Sequence, residues 1–490
     1  MPVKNQVQLI TYPDSLGGNL QALHTLHARH LAGVFKGGIH ILPPFPSSGD
    51  RGFAPLTYAE IEPRFGTWED IRRLSEDADI VLDLMVNHIS RQSPYFQDFV
   101  RKGRQSAYAD LFITLDKIWP DGNPPQADVA RIFLRRPESP FSTVSIQETG
   151  KVERIWTTFG AEDWSEQIDL DVRSETTRRF LTEVLAHLSR QGVKIVRLDA
   201  VGYVIKKPGT SCFMVEPEIY EFLDWLTGVG KSLGLELLPE VHDHYSVQLK
   251  LAERGYWVYD FVLPMLVLHT LFTRSSRKLR DYLRVCPRKQ FTMLDCHDGI
   301  PVQPDLDGIL EADEAQAVVQ QCLQRGANLN RILSEQHEHN ADCDAHQINC
   351  TYYSALDCDD DAYLAARAIQ FFAPGVPQVY YVGLLAGKND LEGVQTTGEG
   401  RAINRHNYSM EEVERGIQAP VVQRLLKLIR FRNEHPAFDG SFNVMDSTDR
   451  ELVLVWQKED NMCRLTVDLT TKQAVIAFTG EAGEILHYRV

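Results

Sequence analysis

Short apolar runs alternate with amphipathic stretches along most of this chain. The runs VQLITY (7–12), GGIHILP (37–43), DIVLDLMVNH (79–88), VKIVRLDAVGY (193–203), LELLPEVH (235–242), VYDFVLPML (258–266), QFTMLDCHD (290–298) and GVPQVYYVG (375–383) all have strand length. Each is rich in β-branched or aromatic residues and is bounded by turn formers. Between them, SETTRRFLTEVLAHLSRQG (174–192) and EPEIYEFLDWLTGVGKSLG (216–234) repeat apolar residues at three- and four-residue spacing and stop at glycine, as helices do. Strands alternating with helices imply a parallel sheet. Eight of them predict an α/β fold, a closed (β/α)8 TIM barrel.

Two gaps are too long for simple crossovers. Residues 89–168 hold proline-rich turns (WPDGNPPQ, RRPESPF), and residues 299–355 are polar with one helical pattern, LEADEAQAVVQQCLQRG. Connections of that length fold as inserted subdomains with functional roles. From residue 436 the pattern changes to short alternating runs, RELVLVWQKED, MCRLTVDLT and EILHYRV, which predict a small antiparallel β-domain. The expected organisation is therefore a barrel from 1–88, 169–298 and 356–435, inserted subdomains at 89–168 and 299–355, and a C-terminal β-domain at 436–490.

Composition narrows the function classes. The 490 residues carry a net charge of −16, which excludes nucleic acid or an anionic membrane as the main partner while leaving room for a local basic pocket. No uninterrupted apolar run reaches membrane-spanning length, and the N-terminal stretch lacks the pattern of a signal peptide. The 8 cysteines form no C-x-x-C pair, as expected of reduced thiols in a soluble cytoplasmic protein.

In a barrel of this kind chemistry sits at the C-terminal ends of the strands. Asp199, Glu240 and Asp298 stand at three such ends, accompanied by His88, His242 and His297. One carboxylate at a strand end is commonly a satisfied polar residue. Three on one rim are costly to bury and point to acid–base or nucleophilic work. Retaining glycosyl transfer needs one carboxylate to attack the anomeric carbon and another to protonate the leaving oxygen, and a third can stabilise the oxocarbenium-like transition state. Arg197, two residues before Asp199 on the same side of its strand, would keep that carboxylate ionised by lowering its pKa.

DLMVNH (83–88), VRLDA (196–200), LPEVH (238–242) and LDCHD (294–298), in this order and at these strand ends, resemble the four ordered regions of the α-amylase superfamily, glycoside hydrolase family 13. The resemblance implies Asp199 as nucleophile, Glu240 as general acid/base, Asp298 as transition-state stabiliser, His88 and His297 as ligands of glucose hydroxyls, and Arg197 as the group positioning the nucleophile. VQLITYPDSLGG, GGIHILPPFPSSGDRGFAP, GTSCFM, QINCTYYSAL, FFAPGVPQVYYVGLLAGKND and GRAINRH are further similar to the sucrose phosphorylase subgroup over nearly the whole chain. That subgroup transfers glucose from sucrose to phosphate through a covalent β-glucosyl-enzyme. The resemblance implies a sugar substrate and inorganic phosphate as partners, and a homodimer as the subgroup often forms. Asn87 can serve calcium binding elsewhere in the superfamily; the sequence shows no evident acidic partner set for it, so a structural role, no cofactor and no required metal are expected. By the same resemblance Asp50 and Arg401 close the glucose subsite and Phe53 supplies an apolar platform. Phe159, Gln167, Tyr203, Asp344 and Gln347 then line the acceptor side, as does Arg136 in FLRRP, and His242 joins the substrate-binding residues.

Two positions depart from the sucrose-using pattern. Arg135 stands where proline is usual, and His346 where tyrosine is usual. An added arginine and histidine would bind a phosphorylated aglycone by charge-assisted hydrogen bonds, as in sucrose 6'-phosphate phosphorylases. The plainer reading has Arg135 facing solvent and His346 replacing tyrosine isosterically. Sucrose is the first expectation for the donor, with sucrose 6'-phosphate, glucosylglycerol and glucosylglycerate as alternatives. A retaining hydrolase or transglucosylase is the second reading, and the intact carboxylate set weighs against a non-catalytic relative.

Overall fold

The computed structural model describes residues 3–136, 138–160, 164–331 and 345–490. Eight strands form one sheet: β1 (Gln8–Thr11), β2 (Gly38–Ile41), β3 (Ile80–Met85), β4 (Val193–Asp199), β5 (Glu236–Pro239), β6 (Val258–Asp260), β7 (Gln290–Thr292) and β8 (Val376–Tyr380). Their order, β6-β7-β8-β1-β2-β3-β4-β5, is the cyclic order of a (β/α)8 barrel. All residues of β1, β2, β3 and β8 are buried, which is why these runs read as continuous hydrophobic stretches instead of alternating ones. The register pairs Leu84 with Leu198 and Leu198 with Pro239, so β3, β4 and β5 end at one level.

Helix α1 (Glu175–Arg190) is capped by Ser174, which accepts from Thr177 N, and buries the face Phe180, Leu181, Val184, Leu185 and Leu188. Helix α2 (Glu218–Ser232) buries Ile219, Phe222, Leu223 and Leu226 in the same way. The run VYDFVLPML departs from expectation. In VYDFVLPML only Val258–Asp260 is a strand, and a helix, α3, begins at Leu263. Asp260 caps it by accepting from Val262 N and Leu263 N at 3.2 and 2.9 Å, and Pro264 occupies its first turn. Because α3 (Leu263–Thr273) is buried almost all round, it has no polar face to announce a helical period.

By contact density the described residues fall into two compact units, residues 41–241 and residues 3–40 with 242–331 and 345–490. In the first, the segment after β3 forms an antiparallel pair (His88–Ser90 with Gln167–Asp169) and a hairpin (Phe141–Ser145 with Val152–Trp156) over a cluster of Ile113, Leu115, Ile118, Trp119, Ile132 and Trp156. In the second, the segment after β7 holds helix α4 (Ala312–Gln324) and a three-stranded sheet of Ile300–Pro301, Ala345–Asn349 and Asn328–Arg331. Helices α5 (Asp360–Phe372) and α6 (Pro420–Glu434) flank the C-terminal five-stranded antiparallel sheet. That sheet is built from β9 (Ser441–Val444), β10 (Glu451–Lys458), β11 (Asn461–Asp468), β12 (Gln473–Thr479) and β13 (Ile485–Arg489). No helix among the described residues is long and apolar enough to cross a membrane.

Candidate active site

In the first unit β3 and the ends of β4 and β5 converge on one guanidinium. Arg197, 3% exposed, donates through Nη1 to Asp83 at 2.5 Å and to Asp199 at 3.0 Å, while its Nη2 lies 2.5 Å from Glu240 Oε1. The pairing of Leu198 with Pro239 makes this possible, since the next residue of each strand is the carboxylate. Ala200 adopts the left-handed conformation (φ 53°) and turns its N–H toward Glu240 Oε2 at 3.4 Å. A guanidinium at this distance favours the ionised form of Asp199. The arrangement therefore suits Asp199 to nucleophilic attack and places a second carboxylate on the adjacent strand end.

His88 packs beside this cluster. Its Nε2 lies 2.9 Å from the Phe53 carbonyl, which can only accept, so the ring is the Nε2–H tautomer. Burial lowers the His88 pKa and keeps the ring neutral. Arg197 lies over the Phe53 ring at 5.7 Å, which makes Phe53 an apolar floor under the guanidinium. An aromatic wall follows: Phe159 meets His88 at 5.3 Å and Tyr203 at 5.0 Å, and Tyr203 meets Phe213 at 4.7 Å. The Arg135 guanidinium sits over the Phe159 ring at 5.9 Å, so this half-buried side chain lies on the wall. Arg136 is buried and donates through Nη2 to Ser139 O and Thr157 Oγ1, both at 2.9 Å, which ties it to the insertion. Gln167 is buried in the strand that pairs with Ser90. Asp50 is exposed in a tight turn whose residues Asp50 and Arg51 both have positive φ (43° and 49°). Gly52 closes that turn at φ +112°, where an added Cβ would meet Pro43 O at 2.6 Å.

Asn87 has a buried acidic partner that the sequence did not reveal. Its Nδ2 donates to the fully buried Asp169 at 3.1 Å, and its Oδ1 accepts from the Lys206 ammonium at 3.1 Å. Lys206 pairs with Asp169 at 2.8 Å and donates also to Thr158 Oγ1 and Tyr203 O.

In the second unit Asp298 is held by arginines. Arg401 Nη1 donates to it at 2.6 Å, and Arg405 Nη2 lies 3.7 Å away. His297 Nε2 lies 3.5 Å from the other carboxylate oxygen, and the His297 ring meets Tyr12 of the segment after β1 edge-on at 6.2 Å. Arg405 Nε donates to His297 O at 2.8 Å, and Asn404 Nδ2 donates to Asp298 O at 3.0 Å, which fixes the backbone beneath the carboxylate. His242 stacks on Phe261 at 3.9 Å, and His346 is buried with its Nδ1 2.7 Å from Gln303 O. Gln347 is buried next to it and accepts from Asn330 Nδ2 at 3.4 Å. Asp344 lies outside the described residues.

The sequence profile of the α-amylase catalytic domain matches residues 27–243. A sucrose 6(F)-phosphate phosphorylase of Thermoanaerobacterium thermosaccharolyticum is 62% identical over 490 residues, 100% of both chains. The chain belongs to glycoside hydrolase family 13. Within family 13 it is related closely to the sucrose and sucrose-phosphate phosphorylases. A sucrose phosphorylase of Streptococcus mutans is 46% identical over 94% of each chain. The crystal structure of sucrose 6F-phosphate phosphorylase from Thermoanaerobacter thermosaccharolyticum aligns with a TM-score of 0.98 at 62% identity, covering 100% of this chain and 99% of that one. This family 13 chain is thus an enzyme of the glucoside phosphorylase type, acting on a sucrose-like glucoside with phosphate.

Sequence reading of this family 13 enzyme overlooked three polar residues. Asp83 lies in the first of the four regions but inside a strand, where its burial against Arg197 has no periodic signature. Arg405 stands in GRAINRH, the stretch that singled out Arg401. Lys206 follows VRLDA by a few residues and reads as a surface lysine until the fold encloses it.

Proposed function

We propose that this enzyme phosphorolyses sucrose 6F-phosphate, releasing fructose 6-phosphate and α-D-glucose 1-phosphate. The observation that carries this reading is the 62% identity, along the entire chain, to a relative of that specificity. Two side chains support it independently of the identity: Arg135 lies on the Phe159 ring instead of projecting into solvent, and His346 is buried with its tautomer fixed. A guanidinium and an imidazole of this kind suit a phosphate monoester by charge-assisted hydrogen bonds. The phosphorylated donor is therefore preferred to sucrose, the donor expected first from sequence.

In the first half-reaction an Asp199 oxygen attacks the glucosyl C1 as the bond from C1 to the fructosyl oxygen breaks, and Glu240 gives that oxygen its proton. Asp298, held by Arg401 and Arg405, stabilises the developing positive charge at C1. In the second, a phosphate oxygen attacks C1, the bond to Asp199 breaks, and Glu240 recovers a proton from phosphate. Two inversions give net retention.

The test is a donor panel of sucrose 6F-phosphate, sucrose, glucosylglycerol and glucosylglycerate, with and without phosphate, read as α-glucose 1-phosphate. The phosphorylated donor is expected to have the largest kcat/KM, and Arg135→Ala to lower it by about 10- to 100-fold, the range of a hydrogen bond to a charged group, with little change for sucrose. Sucrose turned over as well as its phosphate overturns the donor assignment. Glucose released equally without phosphate overturns phosphorolysis.

A further inference from the structure

Two asparagine amides in the second unit lie against the glycines that flank the Asp298–Arg401 pair. Asn349, 0% exposed, ends the strand Ala345–Asn349 and pairs in register with Asn328 of the neighbouring strand. Asn328 Nδ2 donates to Gly400 O at 3.0 Å. A carbonyl can only accept, so the Asn328 amide presents its Oδ1 to Asn349, whose Nδ2 donates to it at 2.8 Å and to Asn330 Oδ1 at 3.2 Å. Asn349 Oδ1 is left against Gly299, where it accepts no hydrogen bond among the described residues. A Cβ added to Gly299 would meet that oxygen at 2.7 Å, and one added to Gly400 would meet Asn328 Oδ1 at 2.6 Å. Neither glycine has a positive φ, so close approach and not backbone conformation calls for glycine at both. Gly299 follows Asp298 and Gly400 precedes Arg401, whose Nη1 donates to Asp298 Oδ1 at 2.6 Å.

We infer that Asn328 and Asn349 are positioning residues that set the spacing of Asp298 and Arg401 through these two glycines. The inference deepens the proposed phosphorolysis and rests on it, because it acts on the carboxylate assigned to the transition state. Stability alone does not account for the arrangement: a buried amide oxygen without a partner is costly, and apolar side chains would fill the space without that cost. Asn404 and Arg405 reach from the Arg401 loop to the backbone of Asp298 and His297, and the asparagines close the same junction from the neighbouring strands. A displacement of about 1 Å at such a pair is enough to cost about 100-fold in rate.

The test is steady-state phosphorolysis by Asn328→Ala and Gly400→Ala, alone and in an Arg401→Ala background. The first removes the half-buried Asn328 amide, and the second pushes it off Gly400 O with a methyl group, so the two variants perturb one contact from opposite sides. Each is expected to lower kcat about 10- to 100-fold while KM for the donor stays within about threefold, as for an interaction expressed in the transition state. In the Arg401→Ala background each is expected to change kcat by less than about twofold, because the asparagines act through that pair. A role in folding alone would lower the thermal midpoint and leave kcat per folded enzyme unchanged. A kcat within about twofold of wild type, a loss carried by KM instead, or an undiminished loss in the Arg401→Ala background overturns the inference. Wild-type enzyme that forms no α-glucose 1-phosphate fails the underlying reading instead, and the inference falls with it.

Discussion

Arg197 touches Asp83, Asp199 and Glu240 at once, so one positive charge is shared among three carboxylates. Asp83 and Asp199 share its Nη1, and Glu240 takes its Nη2. The chemistry proposed for Asp199 gives a direct expectation. Asp199→Asn should lower turnover by at least about 10³-fold, as loss of a nucleophile does, and should abolish the glucosyl adduct seen by mass spectrometry of the intact enzyme after quenching with donor. An adduct on any other residue would reassign the nucleophile. At this scale the sequence was informative at strand ends, because Asp199, Glu240 and Asp298 interrupt otherwise apolar runs. It was uninformative where a partner is remote: Arg197 and Asp83 are 114 residues apart, and Lys206 and Asn87 are 119 apart.

Elements are fastened to one another by such remote pairs. Lys206, on the loop after β4, reaches Asn87 after β3 and Thr158 and Asp169 in the first insertion, so its ammonium joins three connections through buried oxygens. Lys206→Met keeps most of the volume and leaves Asp169 buried without its cation. Breaking a buried pair from one side costs about 3–5 kcal/mol, and chemical denaturation should show a loss of that order. A loss below about 1 kcal/mol would mean that the pair does not hold the loops together. The insertion also has a solvent-facing fastener. Arg104 donates to Asp116 at 2.7 and 2.9 Å and to Glu153 at 2.9 and 2.8 Å. Its guanidinium holds the Asp116 carboxyl down to about 2 from an ordinary 3.8. A depressed acid stabilises the fold above its ordinary value and loses that contribution as pH falls toward the depressed one. The stability difference between wild type and Arg104→Met should accordingly be constant from pH 7 to 5 and begin to shrink below pH 4. Because Arg104 is 54% exposed, the difference should stay at about 1 kcal/mol and weaken in high salt. A difference that grows on acidification would contradict the assignment. The elements themselves were largely legible, since eight of the expected runs contain the eight barrel strands. Helix α3 was not, because burial on all sides erases the period that separates a helix from a strand.

At the scale of the whole molecule, the C-terminal sheet was legible as short alternating runs, but what attaches it was not. The attachment is aromatic and polar together. Trp456 of β10 donates from Nε1 to Phe372 O, at the end of α5, at 2.7 Å, and its ring meets Phe438 at 6.0 Å and Phe442 at 5.1 Å. Arg432 of α6, 1% exposed, donates to Phe371 O at 2.8 Å, to Asn5 O at 3.0 Å and to Gly375 O at 3.2 Å, which secures the chain just before β8. These contacts join segments from both ends of the sequence, so no local pattern announces them. They also imply that the sheet supports the barrel without taking part in the chemistry. Trp456→Ala tests that division: removing a buried aromatic and orphaning the Phe372 carbonyl should cost about 3–5 kcal/mol and lower the thermal midpoint by several degrees, while kcat/KM at 25 °C stays within about twofold. If kcat/KM instead falls by an order of magnitude in protein that remains fully folded at 25 °C by circular dichroism, the sheet controls the geometry of the catalytic residues and is no mere support.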